Sequence, residues 1–306
     1  MWSDEKAGAA MAKSFVPLLV DVDKDSATAE AFSIQSLPTM VIADAGGAET
    51  IRFVGAPFKG DVESAVKWLE AAPGRLAAID ETLKVFGESK HTNIETGEKL
   101  VALYLELGAK GKVVWVYEQL ISALGADHAK NGELHLKAGL AAAEAWDMEK
   151  TSEHLTVALE KLPKDDPRRT DASLKLLPVK LMGGDVEGVR KEAKEMYDTL
   201  RKAKDDRAVE AGLQLVQANV FYEEDEAKRA EAAKAGRATL LEIRKEFPDS
   251  RATELRFYAA YMAWMASEKD TARKEMKELS GATPADQWTE AAKGILESEM
   301  QEEDQG

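Results

Sequence analysis

From residue 75 to about residue 300, apolar side chains recur only at helical spacing, and no segment alternates as a half-buried strand does. So long a tract cannot be one helix, because helices of globular proteins run to a few turns. Its breaks fall at Gly108, Trp146-Asp147, Gly183-Gly184 and Ser267-Glu268. The first two gaps are 38 and 37 residues, and the third is long enough for two such units. Each break separates two apolar stripes: Leu100, Val101 and Tyr104 precede Gly108, while Val113, Val116, Tyr117, Leu120 and Leu124 follow it. Helices that each expose a stripe, returning at a period of this size, predict a stack of antiparallel helix hairpins.

Residues 1–72 follow another pattern. Ser3 is a candidate cap for a helix over 4–13, with Ala7, Ala10 and Met11 on one side. "FVPLLVDV" (15–22) is almost continuously apolar and predicts a strand covered on both faces. Ser26 is a candidate cap for a second short helix, with Ala29, Phe32 and Ser33 facing inward. "TMVIAD" (39–44) predicts another two-sided strand. Gly46-Gly47 turns the chain into "ETIRFVG" (49–55), whose alternation leaves one face in water. Asp61 opens a helix with Val62, Ala65, Val66 and Leu69 in one stripe. The order is α-β-α-β-β-α, closed by Pro73-Gly74. The expected divisions are an α/β unit at 1–72, a linker at 73–76, a helical domain at 77–300 and a frayed acidic tail at 301–306.

Two resemblances refine this reading. "FVPLLVDVDKD", "AEAFSIQSLPT", the apolar strand after it, the glycine turn and "IRFVGAP" resemble the C-terminal two-thirds of a thioredoxin-like domain. In that family the proline before the strand is cis and walls a peptide-binding redox site. The resemblance implies this role for Leu37, Pro38 and Thr39. The redox half is missing, since the chain has no cysteine and can form neither disulfide nor thiolate. Aligning Trp2-Ser3-Asp4-Glu5-Lys6 with the family's Trp-Cys-x-x-Cys leaves too short a helix before Val16. The better match places the lost strand and its Cys-x-x-Cys turn upstream of Met1. The strands 15–22 and 39–44 must then pair with each other, accept a strand from a partner, or await an earlier start of the natural chain.

"HLKAGLAAAEAWDMEKTSEHLTVALEKLP" resembles a tetratricopeptide repeat (TPR). The resemblance implies packing roles for Gly139, Leu155, Ala158 and the terminating Pro163, for Tyr104 and Tyr117 in the preceding unit, and for Ala260 and Ala272 near the end. Pro178 lies inside a first helix and should kink it. "DEAKRAEAAKAGRATLLEIRKEF" is longer than a standard second helix. The fold class expected is therefore α/β plus all-α: an incomplete thioredoxin-like unit joined to a TPR-like helical solenoid.

Other candidates carry less. Asp21, Asp23 and Asp25 open like a calcium loop, but Ser26 and Phe32 occupy the positions that need glycine and glutamate, so a turn into a helix cap is expected. His128, His135 and His154 lack the spacing of a metal pair. "GAKGKVVW" fails as a phosphate loop at Glu106 and Val113. Trp115, Trp146, Trp264 and Trp288 read as wedges between helices, and "YAAYMAWM" (258–265) as a buried helix or a partner-facing groove. No cofactor is implied.

The formal charge of −15 repels phosphate backbones and favours a basic protein or peptide as partner over nucleic acid. No run of eighteen apolar residues offers a membrane span. The start lacks a secretory signal, which favours the cytoplasm, with the periplasm open if the natural chain begins earlier. The leading expectation is a non-enzymatic interaction protein. The alternative is a thiol-disulfide oxidoreductase or redox chaperone whose catalytic strand precedes Met1.

Overall fold

The computed structural model describes residues 4–34, 36–55, 58 and 61–298. Ser3 and the tail at 301–306 lie outside them. Among the described residues there are 14 helices and two strands, and no strand follows Val54.

The chain opens with α1 (Glu5–Ser14), capped by Asp4, whose carboxylate accepts from the Lys6 and Ala7 N–H groups. A short α2 (Ser26–Ala31) is capped by Asp25 rather than Ser26, and none of its residues is buried. β1 (Thr39–Ala43) and β2 (Glu49–Val54) form an antiparallel hairpin, with Thr39 opposite Val54 and Ala43 opposite Glu49. Asp44 closes its turn by accepting from Gly46 and Ala48. α3 (Val62–Glu88) follows, capped by Asp61.

The strand expected at 15–22 is absent. Residues 15–20 are irregular, and Val16, Leu18 and Leu19 are 96%, 78% and 97% exposed. A strand exists only through its neighbours' hydrogen bonds, and β1 pairs with β2 alone. An apolar run without a ladder remains an open ribbon.

The expected linker at 73–76 is also absent, because α3 passes through Pro73 and Gly74 unbroken. An internal proline costs about 3 kcal/mol and a glycine about 1. Leu69, Ala72, Ile79 and Phe86, on one stripe of α3, are all buried. At about 1.5–3 kcal/mol for each large apolar side chain, this burial outweighs the two breakers.

The chain divides into two compact units, Met1–Ala172 and Ser173–Gly306. Besides the elements above, the first holds α4 (Ile94–Glu106), α5 (Lys110–Leu124), α6 (Asn131–Glu144), α7 (Met148–Lys161) and the start of α8 (Arg168–Met182). One core runs from Ala10 and Ile51 through Trp68, Ile79 and Leu100 to Leu134. Phe53 of β2 meets Trp68 edge-on at 5.4 Å, so the hairpin and the helices share that core. From α3 to α7, each helix packs on the next.

The second unit holds the remainder of α8, then α9 (Val186–Lys202), α10 (Ala208–Phe221), α11 (Glu226–Glu246), α12 (Ala252–Met265), α13 (Lys269–Ser280) and α14 (Gln287–Ser298). From α9 onward, each helix again packs on its successor. Leu174, Leu177 and Leu181 carry α8 into the same core as Val189 and Leu213. Arg237 of α11 donates to both oxygens of Glu275 on α13, at 2.8 and 2.7 Å, and to the Ala259 carbonyl of α12 at 2.7 Å.

Candidate functional site

The residues singled out for packing fall mostly in the helix seams. Tyr104, Tyr117, Leu155, Ala158, Ala260 and Ala272 are buried. Pro163 is exposed just after α7. Gly139 lies so close to α7 that a Cβ there would stand 2.4 Å from Leu155 Cδ2 and 3.0 Å from its backbone nitrogen. Gly97 of α4 stands likewise against Leu120 of α5, and Gly212 of α10 against Ile243 of α11. Hairpins in both units therefore close on a glycine of the first helix and a branched side chain of the second.

At the other candidate, the Leu37–Pro38 peptide is cis. Leu37 is exposed, the Thr39 hydroxyl donates to the Ser36 carbonyl at 2.6 Å, and Gly55 N–H donates to the Pro38 carbonyl at 2.8 Å. The turn is thus tied to the end of β2. No ionisable side chain takes part in these bonds.

One concavity of the second unit lies on α8, α10 and α12. A cavity of about 480 Å3 is lined by Pro178, Leu181 and Met182 of α8, Gln214, Gln217 and Phe221 of α10, Tyr222, and Tyr258 of α12. Met182 is 70% exposed, and Phe221 and Tyr222 are also open to solvent. Burial pushes the Tyr258 hydroxyl pKa up. The Gln214 Oε1 atom is buried without a hydrogen-bond partner. On the same three helices, Lys175 pairs with Glu210 at 2.8 Å, and Arg251 joins Glu210 to the buried Glu254. Burial raises the Glu254 carboxyl, against the pull of Arg251.

Sequence reading missed this cavity. Its walls come from segments far apart in the chain, and only Tyr258 fell within a run flagged as groove-forming. The adjacent Phe221-Tyr222, large aromatics at the exposed end of a helix, were the available signal.

The histidines behave differently from their spacing. His135 and His154 meet across the α6–α7 seam with their Nδ1 atoms 3.0 Å apart, and Glu118 of α5 lies 3.6 Å from His154 Nε2. Burial, then His154 and Lys161, lower the His135 pKa to about 4. Among the described residues, no three His, Asp or Glu side chains converge as metal ligands. Asp21 accepts from Asp23 N–H and pairs with Lys24, while Asp25 caps α2.

Trp115, Trp264 and Trp288 pack partly buried against the cores. Trp146 does not: it is 81% exposed in the α6–α7 turn, where a left-handed backbone (φ 60°) turns its side chain off the helix stripe. Within "YAAYMAWM", Ala259, Ala260, Met262 and Ala263 are buried. Among the described residues no helix is long and apolar enough to cross a membrane.

No protein-family model matches this chain, and a search of curated proteins returned no similar sequence.

Proposed function

We propose that this chain is a non-enzymatic interaction protein. It binds a peptide or protein partner on a TPR-like groove formed by the first helices of its hairpins, and its thioredoxin-like segment is redox-inactive. The observation that carries the reading is the cavity shared by α8, α10 and α12, where aromatic and thioether side chains stand open beside paired charges. Exposed apolar groups framed by polar ones are what an extended or helical ligand covers. The tight glycine–leucine contact of α6 and α7 supports the likeness to tetratricopeptide hairpins. The charge of −15 favours basic partners.

The test is retention of a random-sequence peptide library at low and high salt, followed by hydrogen exchange with retained peptides. The reading expects basic peptides, affinity that falls with salt, and protection on α8, α10 and α12. Absence of retention, or protection confined elsewhere, would overturn it.

The exposed run of Val16, Leu18 and Leu19, and a β1 whose pairing among the described residues is with β2 alone, favour a second reading, a thiol-disulfide oxidoreductase whose Cys-x-x-Cys strand is encoded upstream. The upstream reading frame decides it: a stop codon directly before Met1 ends the idea. This polypeptide itself is expected to show no turnover in an insulin-reduction assay, because no thiolate can form.

A further inference from the structure

We propose that a second cavity, between α9, α10 and α11, binds a free α-amino acid with an aliphatic side chain. Arg190 takes its carboxylate, Glu223 its ammonium group, and Asn219 a hydrogen bond from or to each. The inference is independent of the interaction reading above.

The cavity measures about 270 Å3 and is lined by Arg190 of α9, by Leu215, Val216 and Asn219 of α10, by Glu223 and by Gly236 of α11. It falls just below the range of about 300–1,000 Å3 that drug-sized ligands fill, so its occupant is a small molecule. Leu215 and Val216 give it an apolar side. Gly236 brings α11 against that side, since a Cβ there would stand 2.8 Å from Val216 Cγ1.

Its polar groups are held in place yet uncommitted. Arg190 donates through Nε to the Ala218 carbonyl at 3.2 Å and through Nη1 to Glu187. These contacts fix the guanidinium against α10, and its Nη2 group has no acceptor among the described residues. The half-buried Asn219 amide has no hydrogen-bond partner among them. The half-buried Glu223 carboxylate accepts the Asp225 N–H at 3.2 Å and pairs with no cation among them, Arg190 included.

One cavity thus presents a cation and an anion that do not neutralise each other. A lone carboxylate entering it would face Glu223, and a lone amine would face Arg190. A molecule that carries both charges side by side satisfies both through charge-assisted hydrogen bonds. An amide supplies N–H donors to one end of such a molecule and a carbonyl oxygen to the other. The apolar side then receives an aliphatic side chain, whose burial adds affinity.

The experiment is an NMR titration of the full chain with L-leucine, with leucinamide, which lacks the carboxylate, and with N-acetyl-leucine, which lacks the ammonium group. Leucine should shift resonances of α9, α10 and α11. Blocking either end should weaken binding about ten- to hundred-fold, the worth of a hydrogen bond to a charged group. Glu223→Gln should weaken leucine and leave N-acetyl-leucine unchanged. Arg190→Gln should weaken leucine and leave leucinamide unchanged, and Glu224→Gln, one residue outside the cavity, should change nothing. A variant that merely disturbs the fold would weaken all three ligands alike, and that result would overturn the inference. So would absence of saturation by leucine at about 10 mM, equal binding of leucine and either blocked form, or shifts confined to other helices. If Arg190→Gln does not fold, Glu223→Gln and the two blocked ligands still decide.

Discussion

Gly139 shows how much one missing carbon decides. Alanine is the better helix former by about 1 kcal/mol, yet a methyl here would enter Leu155 and approach its backbone. Overpacking costs about 1–3 kcal/mol, so Gly139→Ala should destabilise the first unit by about 1–2 kcal/mol net in urea unfolding. Gly74, also helical, has open space where a methyl would stand, with nothing within 4 Å; Gly74→Ala should instead add about 0.5–1 kcal/mol. His135 supplies a pH dependence. Its folded pKa of about 4 lies below the ordinary 6.5, so between those values the unfolded chain binds more protons. Stability from the neutral His135 ring is complete above about pH 6.5 and is lost as pH falls towards 4. Denaturant melts at pH 7 and 4.5 should show a smaller difference for His135→Leu than for the native chain.

Helices and strands differed in how far the sequence revealed them. The stripes of Leu100 and Tyr104, or Val116 and Leu120, are repeated over neighbouring turns, so a local window contains the signal for α4 and α5. Aspartate caps at Asp4 and Asp25 were equally local, but the nearby serines Ser3 and Ser26 drew the reading. The ribbon at 15–22 has the composition of a buried strand and none of its structure, because a strand's partners lie elsewhere in the chain. The cavity at Tyr258 was hidden for the same reason: α8, α10 and α12 are adjacent only after folding. Replacing Val16, Leu18 and Leu19 together by serine should leave helical content and unfolding free energy within about 0.5 kcal/mol. It should also lower binding of an apolar dye. A large loss of stability would mean that the ribbon is buried in solution.

Within each unit, helices lean mainly on their sequence neighbours, so stability is a sum of local couplings. Arg237 is one such coupling, tying α11, α12 and α13 together. Arg237→Met leaves Glu275 without its partner and the Ala259 carbonyl without its donor; because Glu275 is partly open to water, the cost should be about 1–2 kcal/mol. Hydrogen exchange should rise on α11 to α13 in that variant. In Gly139→Ala it should rise on α6 and α7 instead; a uniform rise across both units in either variant would contradict neighbour-by-neighbour stabilisation. Stacking by succession also has an evolutionary corollary. A closed barrel must keep its circumference, whereas a row of hairpins has no closure condition, so duplication or deletion of one hairpin changes the reach of the row while its remaining joints keep their fit.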